Sequence, residues 1–438
     1  MFNNRFCLKK FTVNENSKVD INQIALVLFF SGKAIEFILN KFFALLGAAY
    51  YSEYCLIGIH CFIVLCILSW FIMKQEKQLL KYKSFILIVV ICSLFLLKYL
   101  FNSSVGIWLS DNTYGFPAVF GLDGGIFSAG VTAYYIIIIQ KNSDTVINGL
   151  KISNCFIIVY LLFMAYNRTK LGYFWVTGEG GISVQKAYNM SFGYYSCFIS
   201  TLNVILWIKE RKIYNIIVSV VFSLLSIAYG SRGAIIIYLI FALSLFWLFM
   251  KEANVAKKLI IISAIFLFGS FFILFYSEII LFLQRILVYF GVSESRTLES
   301  LLAGDISDTD TRDELWAIAK ELIKDRFPFG YGVFGERPHI GKYYMWGYSH
   351  NIFLEIIIAF GFIGVVLLTF FIIKSFSIIN SDADRGWIFI FILFFSQCGI
   401  LLVSNSFWYH PYFWSAIAVG FIHSDIIGDD KKLKRSKI

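Results

Sequence analysis

Charge is scarce in this chain. Only 15% of its 438 residues are Asp, Glu, Lys or Arg, where a soluble domain carries about 25%, so a free-standing soluble fold is excluded. Strict alternation of apolar and polar residues, the mark of a transmembrane barrel, is also missing. The cysteines at positions 7, 55, 61, 66, 92, 155, 197 and 398 lie in or beside apolar runs and form no CxxC pair. They read as small buried apolar residues, and neither a disulfide framework nor a zinc site is implied. HExxH, GxSxG, P-loop and dinucleotide-binding patterns are missing or out of context, and no internal repeat is visible. The net charge is +10, yet the basic residues are scattered over short loops and the C-terminal tail rather than gathered on one face. That distribution argues against a nucleic-acid partner.

What the chain has in abundance is apolar length. Hydrophobic residues make up 59% and aromatics 19%, and runs of 18–22 apolar residues recur, each able to span a hydrocarbon core of about 30 Å. Only helices or closed barrels satisfy their backbone in lipid, so the expected fold is an all-α polytopic membrane protein with about 12 transmembrane helices. The spans fall near 21–40, 54–73, 84–101, 120–140, 152–166, 190–208, 214–229, 234–250, 259–276, 352–373, 387–403 and 412–423. Residues 1–277 thus hold nine helices, 278–350 form one large loop, and 351–438 hold three helices and a basic tail. The first run reads as a retained helix, not a signal peptide; Lys33 and Glu36 inside it stand at a spacing that lets them pair. With the long loop left aside, because long segments cross largely regardless of charge, Lys and Arg in the loops and termini on one side outnumber those in the short loops on the other by 23 to 5. The positive-inside rule then predicts both termini in the cytoplasm and the large loop outside. Aromatics at 407–409 and 412–414 read as an interfacial belt, with sugar stacking as the alternative.

The polar interval 276–351 is where chemistry is expected. Thr311 and Glu314 form a capping box, and Leu315, Ile318, Ala319 and Leu322 then give a helix one apolar face, ended by Pro328. Arg312 falls in the first turn of that helix, where the macrodipole disfavours a cation unless an anion is shared with it. Asp308-Thr309-Asp310 is a weak match to a metal-binding DxD. His350 opens the next apolar run, with Asn351 beside it and Glu355 just over one turn on. An unperturbed histidine can accept a hydroxyl proton near neutrality, and a carboxylate inside a span is a functional hypothesis by default. Earlier in the chain, Gly230-Ser231-Arg232-Gly233 joins two spans with almost no linker, so Arg232 stands at the membrane's outer mouth. Its fork geometry suits phosphate oxygens. Two arginines and a histidine on one side describe a site for a lipid diphosphate and a sugar hydroxyl.

These residues resemble a known family. SRGA at 231–234, TRDELWAIAKELIKDRFPFGYG at 311–332 and SHNIFLEIIIAFGFIG at 349–364 are similar, in order and spacing, to the motifs of the O-antigen ligase/polymerase family. The resemblance implies a metal-independent, inverting membrane glycosyltransferase with a GT-C-like fold, a large periplasmic loop containing short helices, and no cofactor. It implies residence in the bacterial inner membrane. The donor would be undecaprenyl-diphosphate-linked glycan, with membrane lipid and a polysaccharide chain-length regulator as further partners. Arg232 and Arg312 would hold the diphosphate, and His350 would position or deprotonate the acceptor. Ser231, Gly233, Trp316, Asn351 and Glu355 would contact substrate. The loop at 168–187, on which the family gives no guidance, is expected to help shape the acceptor pocket. Polymerase is expected over ligase, because Phe/Ile/Asn/Lys-heavy composition suggests the AT-rich coding common in O-antigen clusters. A lipid-glycan transporter would place its polar residues near the midplane in paired halves, whereas these crowd one outer face.

Overall fold

The computed structural model describes residues 20–48, 50–73, 78–102, 105–111, 115–121, 129–177, 183–186, 189–230, 233–260, 263, 274–289, 295, 298–299, 302, 310–344, 346–382 and 384–435. In chain order the helices are α1 (Ile21–Phe30), α2 (Gly32–Leu45), α3 (Tyr51–Ile72), α4 (Gln78–Phe101), α5 (Gly106–Ser110), α6 (Phe116–Phe120), α7 (Gly130–Ile138) and α8 (Ser143–Leu171). After a two-stranded hairpin, β1 (Phe174–Thr177) and β2 (Ser183–Lys186), come α9 (Met190–Glu210), α10 (Ile213–Tyr229), α11 (Gly233–Glu252) and α12 (Tyr276–Tyr289). The chain closes with α13 (Asp310–Arg326), α14 (Arg337–Ile340), α15 (Ile352–Ile379), α16 (Arg385–Gln397, continuing as a 3-10 turn to Leu402) and α17 (Pro411–Arg435).

This is an all-α polytopic membrane protein, with the antiparallel β1–β2 hairpin as a small addition. Among the described residues seven helices are long and apolar enough to cross a bilayer, and α1 with α2 makes an eighth if a pair bent by 76° counts as one span. The expected span at 214–229 is the shorter apolar helix α10, and that at 412–423 lies within α17. The one at 259–276 lies mostly outside the described residues. Two expectations need correction. The run 21–40 is broken at Ser31 into α1 and α2, although Lys33 and Glu36 do pair at 2.9 Å. The run 120–140 is not one helix: α6 ends at Gly121, whose φ of +71° stops it, and only the nine residues of α7 resume. Apolar length alone does not register such glycine punctuation.

Helix starts follow side-chain chemistry. Asn142, Asn189, Asn351 and Asp384 each accept a backbone N–H of the turn that follows, satisfying donors a helix leaves open. The centre of the bundle is α16, α7 and α9, which are buried nearly all round, while α3 and α4 turn most of their surface outward. Buried polar pairs tie the centre together: Asn203 Nδ2 donates to Asn154 Oδ1 at 3.1 Å, and Gln397 Nε2 donates to Thr201 Oγ1 at 3.1 Å. Such bonds draw helices together where apolar contact gives no preference over lipid.

The element that positions the site is a break in α15. Gly361 stands at φ +57° and ψ −130°, far from helical values. Backbone groups freed there are taken up by the loop at 328–332. Tyr331 N donates to Ile358 O at 2.7 Å, Gly332 N to Ala359 O at 2.8 Å, and Phe362 N to Pro328 O at 2.8 Å. The approach demands glycine on both sides: a Cβ on Gly361 would meet Pro328 O at 2.0 Å, and one on Gly330 would meet Ala359 O at 2.7 Å. Above this joint α13 lays Leu315, Ala319 and Leu322 against Ile340 and Ile358, which is the apolar face expected from sequence. The capping box is not as expected. α13 starts at Asp310, so Thr311 is already inside it, and Glu314 accepts a hydrogen bond from Tyr344 Oη at 3.0 Å.

Candidate functional site

The N-terminal end of α15 begins with His350 in a left-handed conformation, φ +53°, which is uncommon for a residue with a Cβ. Asn351 follows as the N-cap, accepting from Phe353 N and Leu354 N at 3.0 and 3.3 Å, and its Nδ2 donates to Leu402 O at 3.2 Å. Trp316 of α13 donates through Nε1 to Ser349 O at 3.2 Å. The residues flanking His350 are thereby fixed from two directions. The imidazole lies 4.4 Å from the Tyr348 ring and 5.1 Å from the Trp346 ring, centroid to centroid. Its Nδ1 is buried without a hydrogen-bond partner. Burial, reinforced by the charges of Arg312 and Arg337, holds the imidazole well below its ordinary value, at about 3. It is neutral throughout the physiological range.

Beneath His350 lies a charge cluster that the sequence reading missed. Arg337 is fully buried, its guanidinium 4.3 Å from the Phe334 ring and 5.0 Å from the Tyr348 ring. Its Nη1 donates to Trp346 O at 3.2 Å, Nη2 reaches Tyr409 Oη at 3.5 Å, and Nε lies 3.6 Å from Glu336 Oε1. Burial pushes the Glu336 carboxyl up, and Arg337 opposes that push. The available signal was Glu336-Arg337 itself, two adjacent charges between Gly335 and Pro338 in a mostly apolar chain. Glu355 is also fully buried and accepts from Ser406 Oγ and Phe407 N. It braces the turn that carries Tyr409.

The structure thus brings Trp316, His350, Asn351 and Glu355 together, and the charge of Arg312 reaches His350. Ser231 and Arg232 lie outside the described residues, as do Asp308 and Thr309. Gly233 starts α11 against Tyr194 and Val403; a Cβ there would meet Tyr194 Oη at 2.8 Å and Val403 Cγ2 at 3.2 Å. Val403 adjoins Leu402, whose carbonyl holds Asn351. Gly233 and the His350 segment therefore abut the same short stretch of chain.

Residues 198–369 match the O-antigen ligase family model, Wzy_C. The match covers 172 residues, less than half of the chain, and supports a membrane O-antigen ligase/polymerase-type role. No match was found among curated proteins or among solved structures. The Wzy_C segment runs from within α9 to within α15 and contains every expected site residue. The wall at 402–410, which supplies Tyr409, Ser406 and the Leu402 carbonyl, lies beyond it.

The aromatics need a correction. Phe407, Trp408, Phe413 and Trp414 are buried rather than arrayed at an interface, because the turn after α16 folds back into the bundle. Trp414 Nε1 donates to Phe407 O at 2.8 Å and Trp408 O at 3.0 Å, and Trp408 packs against Phe95 and Phe334. The half-exposed aromatics beside His350 are Trp316, Tyr344 and Trp346, the last two stacked at 5.7 Å. At 168–187, Arg168 is buried 5.7 Å from the Tyr229 ring, and Phe174 packs on Tyr229 and Phe192. The start of this loop supports the turn after α10.

Proposed function

We propose that this protein is a surface-polysaccharide (O-antigen) polymerase working at the outer face of a bacterial inner membrane, with both termini cytoplasmic. It moves a glycan from undecaprenyl diphosphate onto the terminal sugar of a new lipid-linked repeat unit. The observation that carries this reading is His350: a neutral imidazole with an unpartnered Nδ1, set between Trp346 and Tyr348 and within reach of the Arg312 charge.

In the proposed reaction the acceptor oxygen bonds to the anomeric carbon as the bond to the diphosphate oxygen breaks, with inversion. The diphosphate leaves with the electron pair, and Arg232 and Arg312 stabilise its growing charge in place of a metal ion. His350 accepts the hydrogen bond of the incoming hydroxyl and takes its proton late in the step. Its low proton affinity in the free protein has a use here. A bound diphosphate neutralises the Arg312 charge that helps depress the imidazole, so His350 becomes more basic only when donor is present. Stacked Tyr344 and Trp346, with Trp316, offer ring faces to the sugars. Arg337 and Glu336 hold the site, and Glu355 braces the turn that carries Tyr409.

The second reading is the ligase, which passes the glycan to lipid A core; it is favoured by the description of the matching family. A deletion strain separates the two. Core capped with one repeat unit marks a polymerase, core with no repeat marks a ligase, and an unchanged ladder overturns both.

A further inference from the structure

A cavity of about 560 Å³ lies between α4, α15 and α17, within the range of about 300–1,000 Å³ typical of ligand sites. One end reaches Ile356, Phe407 and Trp408, beneath the Glu355 cluster; the other reaches Lys83, Lys374 and Ser424. Because α4 and α15 run in opposite directions, Lys83 near the start of one and Lys374 near the end of the other meet at the membrane face away from His350. Almost all of the wall between is apolar.

We infer that this cavity holds an acyl chain of an anionic phospholipid whose phosphate sits between Lys83 and Lys374, in the leaflet opposite the glycan site. Three observations converge. Both lysines are half-buried in membrane-spanning helices, and among the described residues neither has a carboxylate or carbonyl partner. Half-buried cations at the ends of membrane helices gain from an anionic headgroup beside them. Second, the two ammonium groups are near enough to repel one another, which an anion between them would reverse. Third, the wall that runs from the two lysines to Phe407 and Trp408 is almost wholly apolar, as an acyl chain requires. A basic cluster at one end of an apolar trough matches a lipid of negative headgroup by charge and by shape.

The test uses the full chain in phosphatidylcholine vesicles, with chain-spin-labelled phosphatidylglycerol or phosphatidylcholine as probe. Wild type is expected to immobilise phosphatidylglycerol in preference by roughly thirtyfold, the scale of two lysines at an anionic headgroup. Lys83→Gln with Lys374→Gln is expected to bring the ratio to about one. Gly420→Leu fills the cavity, since a Cβ there meets only Ile378 Cδ1, at 3.7 Å, and is expected to lower the immobilised fraction with unchanged thermal unfolding. Equal immobilisation of the two probes by wild type overturns the inference, as does a preference that survives the double substitution. Displacement of the probe by a polyisoprenyl phosphate, with no effect of the lysine changes, assigns the trough to the tail of the glycan donor instead.

Discussion

His350 combines three uncommon properties: a left-handed backbone, a buried unpartnered nitrogen and a depressed proton affinity. Phe334 and Asn405, at φ +54° and +64°, share the backbone anomaly. Phe334 packs on Arg337 and Asn405 adjoins Ser406, so three of the four described non-glycine residues with positive φ, Arg211 apart, gather around one cluster. The depressed histidine has a defined pH consequence. Its folded value of about 3 lies below the unfolded value of about 6.5. Above 6.5 both states are neutral and nothing is lost; as pH falls below 6.5 the unfolded chain takes the proton first and stability drops. Acidification from pH 7 to 5 should therefore lower the melting temperature of wild type more than that of His350→Gln, by a margin equivalent to about 2 kcal/mol. A common slope for the two proteins would contradict the assignment. Arg312→Ala should lower polymer synthesis by at least about 100-fold at normal protein abundance, read as loss of the lipopolysaccharide ladder. Arg337→Gln removes the buried partner of Glu336 and should destabilise the fold by about 3–5 kcal/mol, read by thermal unfolding in detergent.

Among the elements, the joint between the 328–332 loop and α15 matters most. A Cβ at Gly361 has no room and the wrong backbone angle, so Gly361→Ala should release the loop. Limited proteolysis of the membrane-embedded protein should then cut near α13 several times faster, with polymer synthesis falling in parallel; an unchanged cleavage rate would refute the joint. Part of this was readable beforehand. The apolar spacing of Leu315, Ala319 and Leu322 and the stop before Pro328 gave α13 and its buried face. That Pro328, Gly330 and Gly332 answer Gly361 was not readable, because the pairing is carried by backbone atoms some thirty residues apart and leaves no hydrophobic period. Arg337 was missed for a related reason: its partners are a carbonyl, two rings and a tyrosine hydroxyl drawn from three separate segments. Phe407 and Trp408 were misread because a turn re-entering the bundle has the composition of an interfacial belt.

For the whole molecule, scarcity of charge and long apolar runs were enough for the class and for most of the spans. They failed where Gly121 ends a helix inside a run, and where the Ser31-Gly32 pair bends another. The loop bias of lysine and arginine predicts a sidedness that can be measured. Tyr343 is 70% exposed in the large loop, so Tyr343→Cys should react with a membrane-impermeant maleimide in intact spheroplasts. Labelling only after permeabilisation would place the site on the cytoplasmic side and remove the proposed polymerase with it.

The break in α15 also bears on how the protein is made. A membrane helix normally closes its own hydrogen bonds before anything else folds. Here Ile358 O, Ala359 O and Phe362 N are closed by a segment from the large loop. Until that loop has folded, α15 must either straighten, carrying His350 away from the 402–410 wall, or leave three polar groups bare in hydrocarbon. The bent helix is thus a form the chain reaches only after the large loop has assembled. The geometry of the candidate site and maturation are coupled through the same three hydrogen bonds.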